Sequence, residues 1–189
     1  PKNKMVQMEG SHTISVLIHL YRDASPRIAR LGAINCITTA MKNWPTDNSQ
    51  SKNKKKVGCY KMAKFGCAAL KALSYNNTNT RLIHGAGGLQ AVIYAIETNP
   101  QILEVQKAGS HFLQNVTKFL PTTIIEISES RVVPTLLEFF SMDDKNSPRW
   151  HTDSDFQLSV CGLITNVATS KKTRENISSG SNNNIIGVV

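Results

Sequence analysis

The chain repeats itself. Phe65–Ser74 (FGCAALKALS) lies over Gln106–Thr117 (QKAGSHFLQNVT), with Leu70 on Leu113, 43 residues further along. Ser159–Thr169 (SVCGLITNVAT) lies over both, with Leu113 on Ile164, a step of 51. Thr13–Tyr21 (TISVLIHLY) fits more loosely and puts Leu17 at the Leu70 position, 53 residues earlier. Between these segments a second block recurs. Gly32–Lys42 (GAINCITTAMK) matches Gly87–Glu97 (GGLQAVIYAIE) and, less closely, Ser130–Phe140 (SRVVPTLLEFF). A short segment ending in or near an aliphatic residue precedes each: Arg27–Leu31, Arg81–His84 and Ile124–Ser128. A fixed period of this size marks an array of stacked units, because one unit cannot bury its apolar face alone.

Each unit reads as a short, a medium and a long helix, with a period near 43. The expected division is a partial repeat over 1–24, a repeat over 25–75 with an insertion at 45–56, and a repeat over 76–119. A repeat over 120–169 with an insertion at 143–155 and a truncated repeat over 170–189 complete it. Both insertions are polar and fall between the second and third helices, which marks one edge of the array. Helical periodicity is explicit in Ile102–Val116, where apolar residues fall at 102, 105, 108, 112, 113 and 116. Pro26, Pro121 and Pro134 sit in or near first turns, where a missing N–H costs little. No stretch sustains strand alternation, so the expected class is all-α.

Composition bounds the rest. The 189 residues carry 22 Lys+Arg against 13 Asp+Glu, a formal charge of +9, and 40% are hydrophobic. That apolar share argues against a disordered chain, and no run approaches the ~20 apolar residues of a membrane helix. Four cysteines without a CxxC pair suggest neither a disulfide scaffold nor zinc. Pro1–Gly10 shows no charged-then-apolar leader. An intracellular setting is expected, cytoplasmic first, with a nuclear one left open.

Several phrases together resemble the armadillo repeat family across nearly the whole chain. They are Gly32–Asn48 (GAINCITTAMKNWPTDN), Gly66–Ile96 (GCAALKALSYNNTNTRLIHGAGGLQAVIYAI) and Val105–Thr117 (VQKAGSHFLQNVT). They are similar to the algal and protist subgroup with Gly-Gly-aliphatic, Met-Lys-Asn and Gly-Cys-x-x-Leu phrases. The resemblance implies a right-handed armadillo-type α-solenoid of three-helix repeats, a scaffold and not a reaction. In that register the chain opens within a third helix (Val6–Tyr21) and closes at Ile185–Val189 within a second, as a segment of a longer array would.

The residues that could carry chemistry are sparse. Gly85, Gly87 and Gly88 form a Gly-rich loop, but without the strand or the Lys-Ser/Thr of a nucleotide fingerprint, so a tight turn with positive φ is expected. The five histidines have no His-x-x-x-His spacing and no carboxylate at ligand spacing. Cys36, Cys67 and Cys161 fall on apolar helical faces and read as small buried residues. Gly109-Ser110-His111 lies inside a helix and is no nucleophile elbow. The sequons at Asn76, Asn115 and Asn176 are read as chance occurrences. No metal, cofactor or catalytic set is expected.

The resemblance also implies a concave groove lined by successive third helices. The positions at which importin-α-like members place Trp and Asn correspond here to Ala68/Ala72, His111/Asn115 and Gly162/Asn166, and more loosely to Ser15/His19. Asn115 and Asn166 match the family's Asn, which holds a partner's backbone. No Trp position is aromatic, which disfavours a nuclear-import peptide. Helical spacing adds Lys61, Lys64, Lys71, Lys107 and Lys118 to the same face. Lys64 and Lys107, 43 apart, should stack about 10 Å apart as rungs of a positive stripe.

The expectation is therefore a non-enzymatic protein-binding scaffold for an extended acidic or phosphorylated segment. One rival is a structural subunit held through its edges and its Asp143–Asp155 insertion, where Trp150 would be diagnostic. The other is a nucleic-acid binder using the loop lysines Lys52, Lys54, Lys55 and Lys56 within Lys52–Lys64, together with the Arg174 region. It lacks a base-reading motif or stacking platform.

Overall fold

A computed structural model describes residues 3–44, 60–141 and 153–169. The described residues are helical throughout, with ten α-helices, two 3-10 turns and no strand. The first helix, α1 (Lys4–Leu20), is capped by Asn3, whose side chain accepts from the N–H groups of Met5 and Val6. A 3-10 turn at Arg22–Ala24 leads into α2 (Ser25–Arg30), with Pro26 in its first turn, then α3 (Ala33–Asn43). The next three are α4 (Tyr60–Leu73), α5 (Asn77–Gly85) and α6 (Gly88–Thr98). After α7 (Leu103–Phe119) come a 3-10 turn at Pro121–Thr123, α8 (Ile124–Glu129), α9 (Val132–Ser141) and α10 (Ser154–Ala168). The short-medium-long order thus recurs along the chain.

Packing follows that order in columns. The long helices α1, α4, α7 and α10 lie side by side, each against the next. The medium helices α3, α6 and α9 form a second column, and α2 packs on α5. Medium and long helices of one unit also meet, as α3 with α4 and α6 with α7. Between the columns lies one apolar core that includes Ile37, Leu70, Ile83, Leu89, Ile96, Phe112, Leu113, Phe156 and Leu163, all almost wholly buried. Burying each such side chain contributes about 1.5–3 kcal/mol.

Two devices recur with the unit. Gly32 and Gly87 stand at φ 88° and 77° just ahead of α3 and α6, a left-handed turn that a Cβ disfavours. Gly66 and Gly109, 43 apart in sequence, let the medium helix lie on the long one. A Cβ at Gly66 would sit 2.5 Å from Met41 Sδ, and one at Gly109 would sit 2.7 Å from Ile96 Cδ1.

Three expectations need correction. Of the three cysteines among the described residues, Cys36 and Cys161 are exposed and Cys67 is buried; the first two lie on helix edges that no described neighbour covers. The expected insertion 143–155 overran, because Asp153 caps α10 by accepting from the Phe156 N–H, which makes 153–155 part of the helix. Leu17, aligned with Leu70, is exposed while its neighbour Ile18 is buried, since no described helix covers the outer side of α1. The loop lysines Lys52, Lys54, Lys55 and Lys56, Trp150, Arg174 and the segment 170–189 lie outside the described residues.

Candidate binding groove

A groove of about 830 Å³ runs across α1, α4 and α7, with the first turn of α10 at its rim. Its walls hold Ser15 and His19 from α1, Ala68, Lys71 and Ala72 from α4, and Lys107 and His111 from α7. These are residues that the long-helix register places on one face. Small side chains at Ala68 and Ala72 leave the space open. Lys61, Lys64, Asn115, Lys118, Gly162 and Asn166 do not line it.

Other lining residues carried no sequence signal as groove residues. Arg22 and Asp23 belong to the 3-10 turn, Tyr75 and Asn76 to the turn after α4, and Asp155 to the start of α10. The Arg22 guanidinium lies over the Tyr75 ring, 5.5 Å from its centroid. Turn residues enter the groove only when neighbouring units stack, which the helical period of one segment does not reveal.

The electrostatics differ from a simple positive stripe. Lys64 pairs with Glu104 at 2.7 Å, and Lys107 pairs with Asp153 at 2.9 Å and Asp155 at 3.3 Å. Both lysines are thereby neutralised within the fold, which corrects the expected rungs of free positive charge. The Lys64 hydrogen bond holds the Glu104 carboxyl below its usual range, and the Lys107 hydrogen bond does the same for Asp153. Lys61 and Lys118 are exposed and have no ion pair among the described residues; Lys118 lies 5.8 Å from the Phe119 ring.

Lys71 is different. It is half-buried in the groove wall, and no carboxylate among the described residues lies within ion-pair distance of it. Burial, with Lys107 nearby, pushes its ammonium below the usual lysine range. His111 is also half-buried, and burial together with Lys71 keeps its imidazole below the ordinary range. Its Nδ1 is shut away without a hydrogen-bond partner.

Asn115 and Asn166 are engaged inside the protein. Asn115 Nδ2 donates to Ser74 Oγ at 2.9 Å, and Asn166 Nδ2 donates to Thr117 Oγ1 at 2.9 Å and to the Gln114 carbonyl at 3.3 Å. Each asparagine thus ties its long helix to the end of the preceding one. Gly162 faces the same junction, where a Cβ would collide with the Gln114 amide. These three positions hold the array together and do not line the groove.

No group of three or more His, Cys, Asp or Glu among the described residues could hold a metal ion. No described helix is long and apolar enough to cross a membrane.

The class these observations define is an all-helical chain of stacked units. A crystal structure of an engineered protein from the Northeast Structural Genomics Consortium is similar in fold, at TM-score 0.65 and 16% identity. The similarity covers 95% of this chain and 64% of that one. No family model and no curated protein matches the chain.

Proposed function

We propose that the chain is a right-handed α-solenoid of the armadillo type that binds a segment of another protein in the groove across α1, α4 and α7. The recurrence of short, medium and long helices, with left-handed glycines before α3 and α6, supports the armadillo reading. One observation carries the binding reading. Residues at matching register on three adjacent long helices, Ser15/His19, Ala68/Ala72 and His111, open onto one groove of about 830 Å³. Its small side chains leave room for an extended chain. Lys71, without an ion pair among the described residues, and Arg22 beside Tyr75 favour an acidic or phosphorylated occupant.

A peptide display library selected on the full chain tests this. The winners should be rich in Asp, Glu or phosphorylated residues, and Ala68→Glu, which sets a carboxylate among the lining residues, should abolish their binding. Selected peptides that survive Ala68→Glu would refute the groove as the binding surface.

A second reading, a subunit fixed in an assembly, is favoured by the outer face of α1. Met5, Val6, Leu17 and Leu20 are 62%, 54%, 41% and 65% exposed there, an apolar strip on a charged chain. Leu17→Lys with Leu20→Lys should leave peptide binding intact if the groove reading is right.

A further inference from the structure

We propose that Lys71 and the accessible Nε2 edge of His111 form a subsite for one compact oxyanion, the phosphoryl or carboxyl group of an acidic side chain on the bound segment. This rests on the groove reading above and adds where the segment's charge is held. Of the lysines at this face, Lys64 is matched by Glu104, and Lys107 by Asp153 and Asp155. Lys71 lines the same groove without such a match. Burial costs this ammonium hydration that Asp155, already paired with Lys107, offsets only in part, and an anion in the groove restores it.

His111 supplies the second donor. Its Nδ1 is enclosed and has no partner, so a proton there would be a buried, unsatisfied donor. Nε2 is neither buried without a partner nor hydrogen-bonded within the described residues. With its proton on Nε2, the neutral ring offers a donor that an occupant of the groove can accept. Burial keeps that ring neutral near pH 7, with Lys71 and Lys107 acting in the same direction and Asp155 and Asp153 opposing them. Both acids are already tied to Lys107. Arg22, Asp23 and His19 line the same groove. An ammonium and an imidazole N–H on neighbouring long helices suit an oxyanion better than a cation or an apolar group.

The test uses the full chain with ¹⁵N-labelled histidine. Two probes are titrated: inorganic phosphate, and an alanine-flanked phosphoserine hexapeptide. Both should shift the His111 Nε2 resonance saturably, the peptide with at least tenfold higher affinity. Lys71→Met should weaken both at least tenfold and Lys71→Arg should restore them. Lys61→Met, on the same helix but outside the groove lining, should change neither. Phosphate shifts unaffected by Lys71→Met would overturn the subsite. So would equal losses in Lys61→Met, which would mean a diffuse field. Phosphate binding as tightly as the peptide would make it a free-anion site and overturn the side-chain source. Ala68→Glu separates the two readings: peptide binding that survives it sinks the groove even when the Lys71 dependence holds.

Discussion

Asn115 provides a sharp test of how the array is held together. Its Nδ2 donates across 2.9 Å to Ser74 Oγ, linking α7 to the end of α4, and Ser74 is fully buried. A hydrogen bond of this kind contributes about 0.5–1.5 kcal/mol. Replacing Asn115 with Ala removes the bond but gains up to about 0.7 kcal/mol of helix propensity in the interior of α7. The single variant should therefore lose only a few tenths to about 1 kcal/mol, and its size alone decides little. A double-mutant cycle with Ser74→Ala cancels the propensity gain. Ser74 Oγ keeps its own bond to the Lys71 carbonyl at 2.8 Å in the Asn115→Ala arm, so no buried donor is stranded there. The expected coupling is about 1 kcal/mol, read from urea midpoints with an unchanged denaturant slope. A parallel cycle of Asn166 with Thr117 should give a similar value, since the bond is again 2.9 Å. Couplings below about 0.3 kcal/mol in both would refute the clamp, because that is the usual error of additivity. A tenfold loss of peptide affinity in Asn115→Ala at unchanged stability would instead return the asparagine to the partner.

Gly109→Ala should cost about 1–3 kcal/mol by thermal or urea unfolding, because the new Cβ meets the branched Ile96 side chain at 2.7 Å. Gly66→Ala should cost less, since the obstructing Met41 thioether is flexible and can move. Cys36 and Cys161 should react with iodoacetamide in the native protein, while Cys67, its thiol pushed up to about 12 by burial, should react only on unfolding; peptide mass spectrometry reads all three. Glu104 and Asp153 have depressed folded pKa values, so their contribution is present above the ordinary carboxylate range and lost as pH falls through the lower folded values. Lys107→Met should flatten the stability profile in that acidic window, and an unchanged profile would mean that the pair contributes nothing.

The helices were legible because each carries its own signal. Apolar positions 105, 108, 112, 113 and 116 of α7 all proved buried, and Gly87 took the positive φ expected of the turn. The groove was partly legible. Ala68, Lys71, Ala72, Lys107 and His111 share its lining because matching register places them on one side of the stacked long helices. Burial of the cysteines was misjudged at Cys36 and Cys161 because apolar neighbours in sequence do not say whether another helix covers that edge. Tyr75 and Arg22 were missed because turn residues have no period, and their meeting depends on where α1 sits on α4.

The fate of the lysines shows why a charge stripe read from one helix misleads. Lys64 and Lys107 occupy matching positions, and each meets an acid at the start of the next long helix: Glu104 in the first turn of α7, and Asp153 and Asp155 at the cap and first turn of α10. Carboxylates are favoured there by the helix dipole, so the acids would sit at those ends even without the lysines. Their presence turns each lysine into a tie between units. Such partly exposed pairs contribute little individually, but they remove two cations from the field offered to a partner. Lys71 lies seven residues past Lys64, two turns away from those helix starts, and its register equivalent on α7 is Gln114, which carries no charge. The same geometry that pairs Lys64 and Lys107 thus leaves Lys71 without a counter-ion. Among the long-helix lysines the uncompensated charge of the groove therefore sits on α4 alone, with Arg22 of the 3-10 turn as a second cation in the lining.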